Sequence, residues 1–230
     1  GPLKLTFLPV KKDGNNVIES NIDLTKANVL IPGLALKKLK GRYGQLKLNF
    51  MKDNRSNFNY SQNNVLVTGN ALHKSIFEIK KVEYLRIKTP DIQIERATFQ
   101  KFGEYNQFKT NRGMISLEFL MRLRFRKKDI PTDFVFSDAV ITFKNKRFLN
   151  SLKGEIRSFE GLRGYAKAKL SPKSNLEITI SPHKSNGINL VISGDDAGEL
   201  LRRGKFYKNG YGGSYKSSIV YKNKTKMSGS

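Results

Sequence analysis

Apolar and polar residues alternate one by one along most of this chain, and that period excludes more folds than any other feature of it. GQLKLNF sets Leu46, Leu48 and Phe50 against Lys47 and Asn49. DIQIERATF sets Ile92 and Ile94 against Gln93 and Glu95. Side chains two residues apart share a face only on an extended strand. MISLEFLMRLRFRK is the longest such run. Read as a strand, it places Ile115, Leu117, Phe119, Met121, Leu123 and Phe125 on one face. Glu118, Arg122, Arg124 and Arg126 fall on the other; a helix would scatter these charges around its axis.

Further strands follow closely in DFVFSDAVITFK, GLRGYAKAKL, NLEITI, GINLVIS and SYKSSIVYK. SPKSN, SPHKSNG and KNGYGG separate them with turn-forming residues. Connections this short join neighbouring antiparallel strands. With no strand–helix–strand rhythm, a parallel α/β sheet is disfavoured. The expectation is a mainly β chain: a long antiparallel meander with one apolar and one polar face. A sandwich, a barrel and an open sheet curled over its apolar face all satisfy that pattern. In GLRGYAKAKL the inward face reads Leu162, Gly164, Ala166, Ala168, Leu170. Side chains that small leave room for a helix or for large side chains from elsewhere. Helical segments are few: DDAGELLRR is one, and IPGLALKKL is read as a turn or a single helical turn.

Composition narrows the class. The chain has 230 residues with 38% hydrophobic content, enough for a packed domain. It carries 43 Lys and Arg against 19 Asp and Glu, a formal charge of +24. Abundant lysine, asparagine and isoleucine accompany A/T-rich coding, which accounts for part of this charge. The remainder favours an anionic partner, nucleic acid or a lipid surface. The absence of cysteine excludes a disulfide framework and thiolate metal sites. No run approaches a bilayer span. Gly1-Pro2 reads as a remnant of protein expression, so residues 3–230 are expected to be one segment cut from a larger protein.

Asp195 and Asp196 are the best metal candidates, in VISGDDAGELLRRG. A two-metal phosphoryl site needs further carboxylates converging from another strand, and no second acidic pair exists. Each residue fits a structural role instead. Asp196 as N-cap puts Glu199 at N3, the spacing of a capping box. Asp195, Asp196 and Glu199 then lie at the positive helix end and Arg202 and Arg203 at the negative end. Leu200 and Leu201 supply the buried side, and Gly204 the C′ stop. His73 and His183 lie in polar settings without catalytic or zinc spacing and read as surface residues. No metal and no cofactor is called for. The Arg122, Arg124, Arg126 stripe could track phosphates, but it lacks aromatics on its own face, which single-strand binding requires.

Two blocks together carry a family resemblance. SNIDLTKANVLIPGLALKKLKGRYGQLKLNF, residues 20–50, contributes Asp23, Leu24, Ala27, Pro32, Lys38 and Gly41. LVISGDDAGELLRRGKFYKNGYGGSYK, residues 190–216, contributes Asp195, Asp196, Ala197, Gly198, Leu200, Leu201, Tyr207, Gly212 and Gly213. Their order and spacing resemble the AsmA-like envelope proteins, the repeating β-groove proteins of the YhdP and TamB type. Between the blocks only the strand-rich texture matches.

The resemblance implies an elongated, twisted antiparallel sheet curled into an open apolar groove. It implies no catalytic residues, and it makes Asp195, Asp196, Gly198, Glu199, Gly212 and Gly213 a structural motif. It further implies a periplasmic protein whose parent is anchored in the inner membrane by segments absent from this chain. Such a protein would move phospholipid between inner and outer membranes, with other envelope proteins as possible partners. The groove lining would come from Leu46, Leu48, Phe50, Leu117, Phe119, Leu123, Leu176, Ile178, Ile180, Ile188, Leu190 and Ile192. Exposing acyl chains to water costs about 0.8 kcal/mol per CH₂, which an apolar trough removes. The alternative is a basic, β-rich nucleic-acid-binding domain.

Overall fold

A computed structural model of the chain describes residues 4–12, 15–31, 36–75, 78–122, 130–144, 146–158, 161–183 and 187–222. The strands of its first half are β1 (Lys4–Lys12), β2 (Asn15–Asp23), β3 (Val29–Ile31), β4 (Leu36–Lys38), β5 (Gln45–Phe50), β6 (Arg55–Gln62), β7 (Val65–Ser75), β8 (Glu78–Lys88), β9 (Ile92–Phe102) and β10 (Tyr105–Ser116). Helix α1 (Leu117–Arg122) follows, then β11 (Thr132–Phe143), β12 (Lys146–Arg157), β13 (Arg163–Ser171), β14 (Ser174–His183) and β15 (Gly187–Gly194). Helix α2 (Ala197–Arg203) and β16 (Tyr215–Lys222) complete the described chain.

Fourteen strands form one open sheet in chain order, from β1 to β16, and β3 pairs with β4 in a separate hairpin. The alternation seen in the sequence is the reason. One transverse row of apolar partners, Ile22–Leu46–Tyr60–Val67–Ile87–Ile94, continues through Gly113 and Ala139 to Leu152. Shifting any of these strands by one residue would turn its apolar set to the opposite face. Most of the buried apolar residues form one connected cluster from Leu24 to Leu176, with Val17, Ala71 and Val82 outside it.

Three segments outside the sheet contribute to that cluster. The β2–β5 connection supplies Leu24, Ala27 and Val29; α1 supplies Leu117 and Phe119; α2 supplies Leu200. Helix α2 packs against β13, whose Ala166, Ala168 and Leu170 are buried. The small side chains of β13 therefore make room for a helix.

Three expectations are corrected. The sheet is mixed, because β10 and β11 are parallel, with Ile115 opposite Ile141. A parallel neighbour requires a crossover, and α1 lies in it, where the sequence had suggested continuous strand. LEFLM satisfies both periods, since Leu117, Leu120 and Met121 also stand at helical spacing. The local cap decides: Phe119 N–H donates to Ser116 Oγ at 3.0 Å. Glu118 accepts from the Lys144 N–H at 2.8 Å, which ties α1 to the β11–β12 turn. Leu117 and Phe119 thus belong to an element covering the sheet, and Leu123 lies outside the described residues. Arg122 ends α1, and Arg124 and Arg126 are likewise outside the described residues. The third correction concerns IPGLALKKL: Ile31 ends β3, residues 36–38 form β4, and residues 32–35, with Pro32, are outside the described set.

Candidate lipid-facing surface and the capped helix

Residues of the first resemblance block hold the β2–β5 connection together. Asp23 Oδ1 accepts from the Thr25 N–H at 2.8 Å, and hydrogen bonding by the Thr25 side chain and backbone holds its carboxyl below the usual aspartate value. Leu24 is buried in the core. Lys38 is only 1% exposed; its Nζ donates to the carbonyls of Ala27 at 2.8 Å and Leu39 at 3.3 Å. Carbonyl partners of this kind make a buried ammonium tolerable.

The acidic pair is wholly engaged in local structure. Asp195 receives the Asn175 backbone N–H at 2.8 Å and its side-chain amide at 2.9 Å, joining the start of β14 to the end of β15. Asp196 caps α2, accepting from the Glu199 N–H at 2.8 Å. Ala197 N–H and Gly198 N–H donate to Gly213 and Gly212 carbonyls at 2.6 and 3.1 Å. Gly212 and Gly213 have φ of +62° and +84°, the left-handed region that suits glycine. A Cβ on Gly198 would lie 2.5 Å from Gly210 C and Tyr211 Cα, so this helix start admits only glycine.

Glu199 departs from a full capping box. Its carboxylate receives Arg203 Nε at 2.6 Å and Arg202 Nη2 at 2.8 Å. The Arg203 and Arg202 hydrogen bonds hold its carboxyl below the ordinary value of 4.5. Gly204 also departs from expectation. It is right-handed, with φ −70°, and Lys205 takes the left-handed turn at +58°. A Cβ at Gly204 would meet the Phe206 ring at 2.5 Å, so a larger residue would push that exposed ring aside. Leu200 packs on the core as expected, whereas Leu201 is exposed.

Among the described residues no group of three or more His, Asp and Glu could hold a metal ion. His73 is half-buried with its Nε2 2.6 Å from Ser56 Oγ, a pairing the sequence reading missed. Ser56 is buried, and His73 Nδ1 has no hydrogen-bond partner among the described residues. Among the described residues no group orients this pair as the third member of a triad would. No described helix is long and apolar enough to cross a membrane.

The predicted lining residues divide into two environments. Leu176 is buried core, and Leu46, Ile178 and Ile192 pack against the core. Leu48, Phe50, Ile180, Ile188 and Leu190 are half-buried and outside that cluster. Register puts Gly164, Ile180, Leu190 and Ile219 in one row, and Ile219 is 47% exposed. At the other end Ile18, opposite Phe50, is 50% exposed. The apolar face is thus covered centrally and less so at both ends.

A concavity of about 540 Å³ lies on the polar side, lined by Glu19, Asn49, Asn57, Asn70 and Tyr84 among others. It follows one cross-strand row from β2 to β8, at a β8 register shift beside Tyr84.

These features define a mainly β protein that has, among the described residues, an open 14-stranded mixed sheet, two short helices and a capped α2 motif. No family model matches the chain, and the comparisons find no similar curated protein or solved structure.

Proposed function

We propose that this chain is a non-enzymatic, lipid-handling segment of an AsmA-like envelope protein. Its apolar sheet face would hold phospholipid acyl chains and help move phospholipid between inner and outer membranes across the periplasm. The observation that carries this reading is the incompletely covered apolar face of an open sheet. Ile180, Ile188 and Leu190 present branched or long aliphatic side chains on one face and are only half-buried, and Ile219 beside Leu190 is 47% exposed. An apolar surface left partly open at the end of a sheet is a candidate interaction site. Acyl chains fit a surface of this chemistry, and their headgroups would remain in solvent beside the strand ends.

The resemblance supplies the biological setting, and the local structures of both blocks are consistent with it. Asp195 and Asp196 need no metal to explain their pairing. Phospholipid would be the partner, and contacts with other envelope proteins would involve surfaces beyond this one.

The test is mass spectrometry of organic extracts from the purified protein after a high-salt wash. Phospholipid retained at near-stoichiometric amounts supports the reading; protein free of lipid refutes it. Nucleic acid that co-purifies and is released by the wash would favour the basic nucleic-acid-binding alternative.

A further inference from the structure

The segment after α2 exposes three aromatic rings within six residues: Phe206 at 77%, Tyr207 at 57% and Tyr211 at 82%. Single exposed apolar residues are ordinary, but large exposed rings clustered together mark candidate interaction surfaces. Leu201 lies beside them with 37% exposure, and Lys205 and Lys208 are exposed in the same segment.

The segment is held firmly at both ends. Phe206 N–H and Tyr207 N–H donate to the Leu201 carbonyl at 2.9 and 3.3 Å. Arg202 donates to the Gly210 carbonyl and stands 4.8 Å above the Tyr211 ring centroid. The Gly212 and Gly213 carbonyls close the segment onto the first turn of α2. The rings are therefore presented by a fixed scaffold. Because α2 packs on β13 and Leu200 joins the core cluster, this scaffold stands on the apolar side of the sheet.

We propose that residues 204–214 form a docking platform for an anionic phospholipid surface. Phe206, Tyr207, Tyr211 and Leu201 enter the headgroup region, and Lys205 and Lys208 engage lipid phosphates. Amphipathic rings favour the membrane interface, and basic residues beside them add attraction to anionic lipid. The proposal deepens the lipid reading, since docking here would bring the open end of the apolar face to the bilayer. Stacking on single-stranded nucleic acid uses the same residue types. The neighbouring Leu201 and the aliphatic face, which bases do not require, favour the bilayer.

The test is sedimentation of the whole chain with vesicles of phosphatidylcholine containing about one-third phosphatidylglycerol. Binding is expected, weakening with salt and on pure phosphatidylcholine. Replacing Phe206 and Tyr207 with serine should lower apparent affinity by at least about tenfold. These side chains are exposed, so an unchanged thermal midpoint would show that the fold persists. Lys205→Glu with Lys208→Glu provides a second variant that leaves the rings in place and should lower affinity for the anionic vesicles and weaken the salt dependence. Wild-type affinity in both variants overturns the proposal. So does ring-dependent binding of a fluorescent oligouridylate in preference to vesicles. Leu190→Glu separates the two claims: it should remove lipid from organic extracts and leave vesicle binding intact. Loss of vesicle binding with lipid still present in extracts from the ring variant would confirm docking as a distinct function. Wild-type protein that retains lipid but binds no vesicles overturns docking alone.

Discussion

The two ends of β14 have similar sequences and different surroundings. At its start, Leu176 is 2% exposed, beside Ala168 and below the part of the sheet that α2 covers. Farther along the same strand, Ile180 lies between Gly164 and Leu190 and remains half-buried. Both are branched aliphatic residues on the same face. The difference comes from the element packed above, so burial on this sheet is set by the covering segments rather than by strand sequence. A residue's apolar character therefore does not say whether it is core or ligand surface.

The largest test of that contrast replaces each residue in turn. Leu176→Ala should cost about 2–5 kcal/mol by chemical denaturation, the range for a fully buried leucine. Leu190→Ala should cost less, about 1–2 kcal/mol, because part of its surface already meets solvent. Equal losses would mean that the open end is ordinary core.

Gly198→Ala probes the cover itself. The new Cβ would press on Gly210 and Tyr211, and the overpacking should cost about 1–3 kcal/mol. Its wider effect should appear as faster amide exchange in β13, beneath α2, with β6 and β7 unchanged.

Glu199→Ala should cost about 1–2 kcal/mol by removing charge-assisted bonds to Arg203 and Arg202. The carboxyl is depressed in the folded state, so the stability it contributes is present above its ordinary value of 4.5. That contribution is lost as pH falls through the lowered value, because the unfolded chain then binds the proton first. Wild type and Glu199→Ala should therefore converge in stability on acidification. Asp196→Ala should have the smallest effect, about 1 kcal/mol, for one lost N-cap. A thermal-unfolding series would order these variants.

Tyr215 supplies an alkaline counterpart. Burial, with Asp195 and Asp196 nearby, pushes its hydroxyl up to about 12. The unfolded chain loses that proton first above the ordinary value of 10.0, so stability should fall as pH rises toward 12.

Much of the fold was legible because strand alternation is a local signal. β5, β9, β13 and β14 follow directly from GQLKLNF, DIQIERATF, GYAKAKL and NLEITI. The α2 cap was equally local, since Asp196 and Glu199 are three residues apart. Long-range placement was not legible. Nothing in DFVFSDAVITFK states that β11 lies parallel to β10, which depends on the crossover containing α1. Ser56 and His73 meet because Arg55 pairs with Leu72 across β6 and β7. Glycine-rich KNGYGG announced a turn, yet its role in presenting Phe206, Tyr207 and Tyr211 depends on the carbonyls of Gly210, Gly212 and Gly213 reaching back to α2. The sequence also assigned Leu117 and Phe119 to the sheet face, because their spacing suits either period.

The central claim is that the open end of the apolar face meets lipid, and in-cell photocrosslinking tests it most directly. A benzophenone side chain would be placed at Leu190 and, as opposite-face control, at Val191, in protein produced in a diderm bacterium. The account predicts phospholipid adducts at position 190 and none at 191. No adduct at position 190, or equal adducts at both positions, would contradict it.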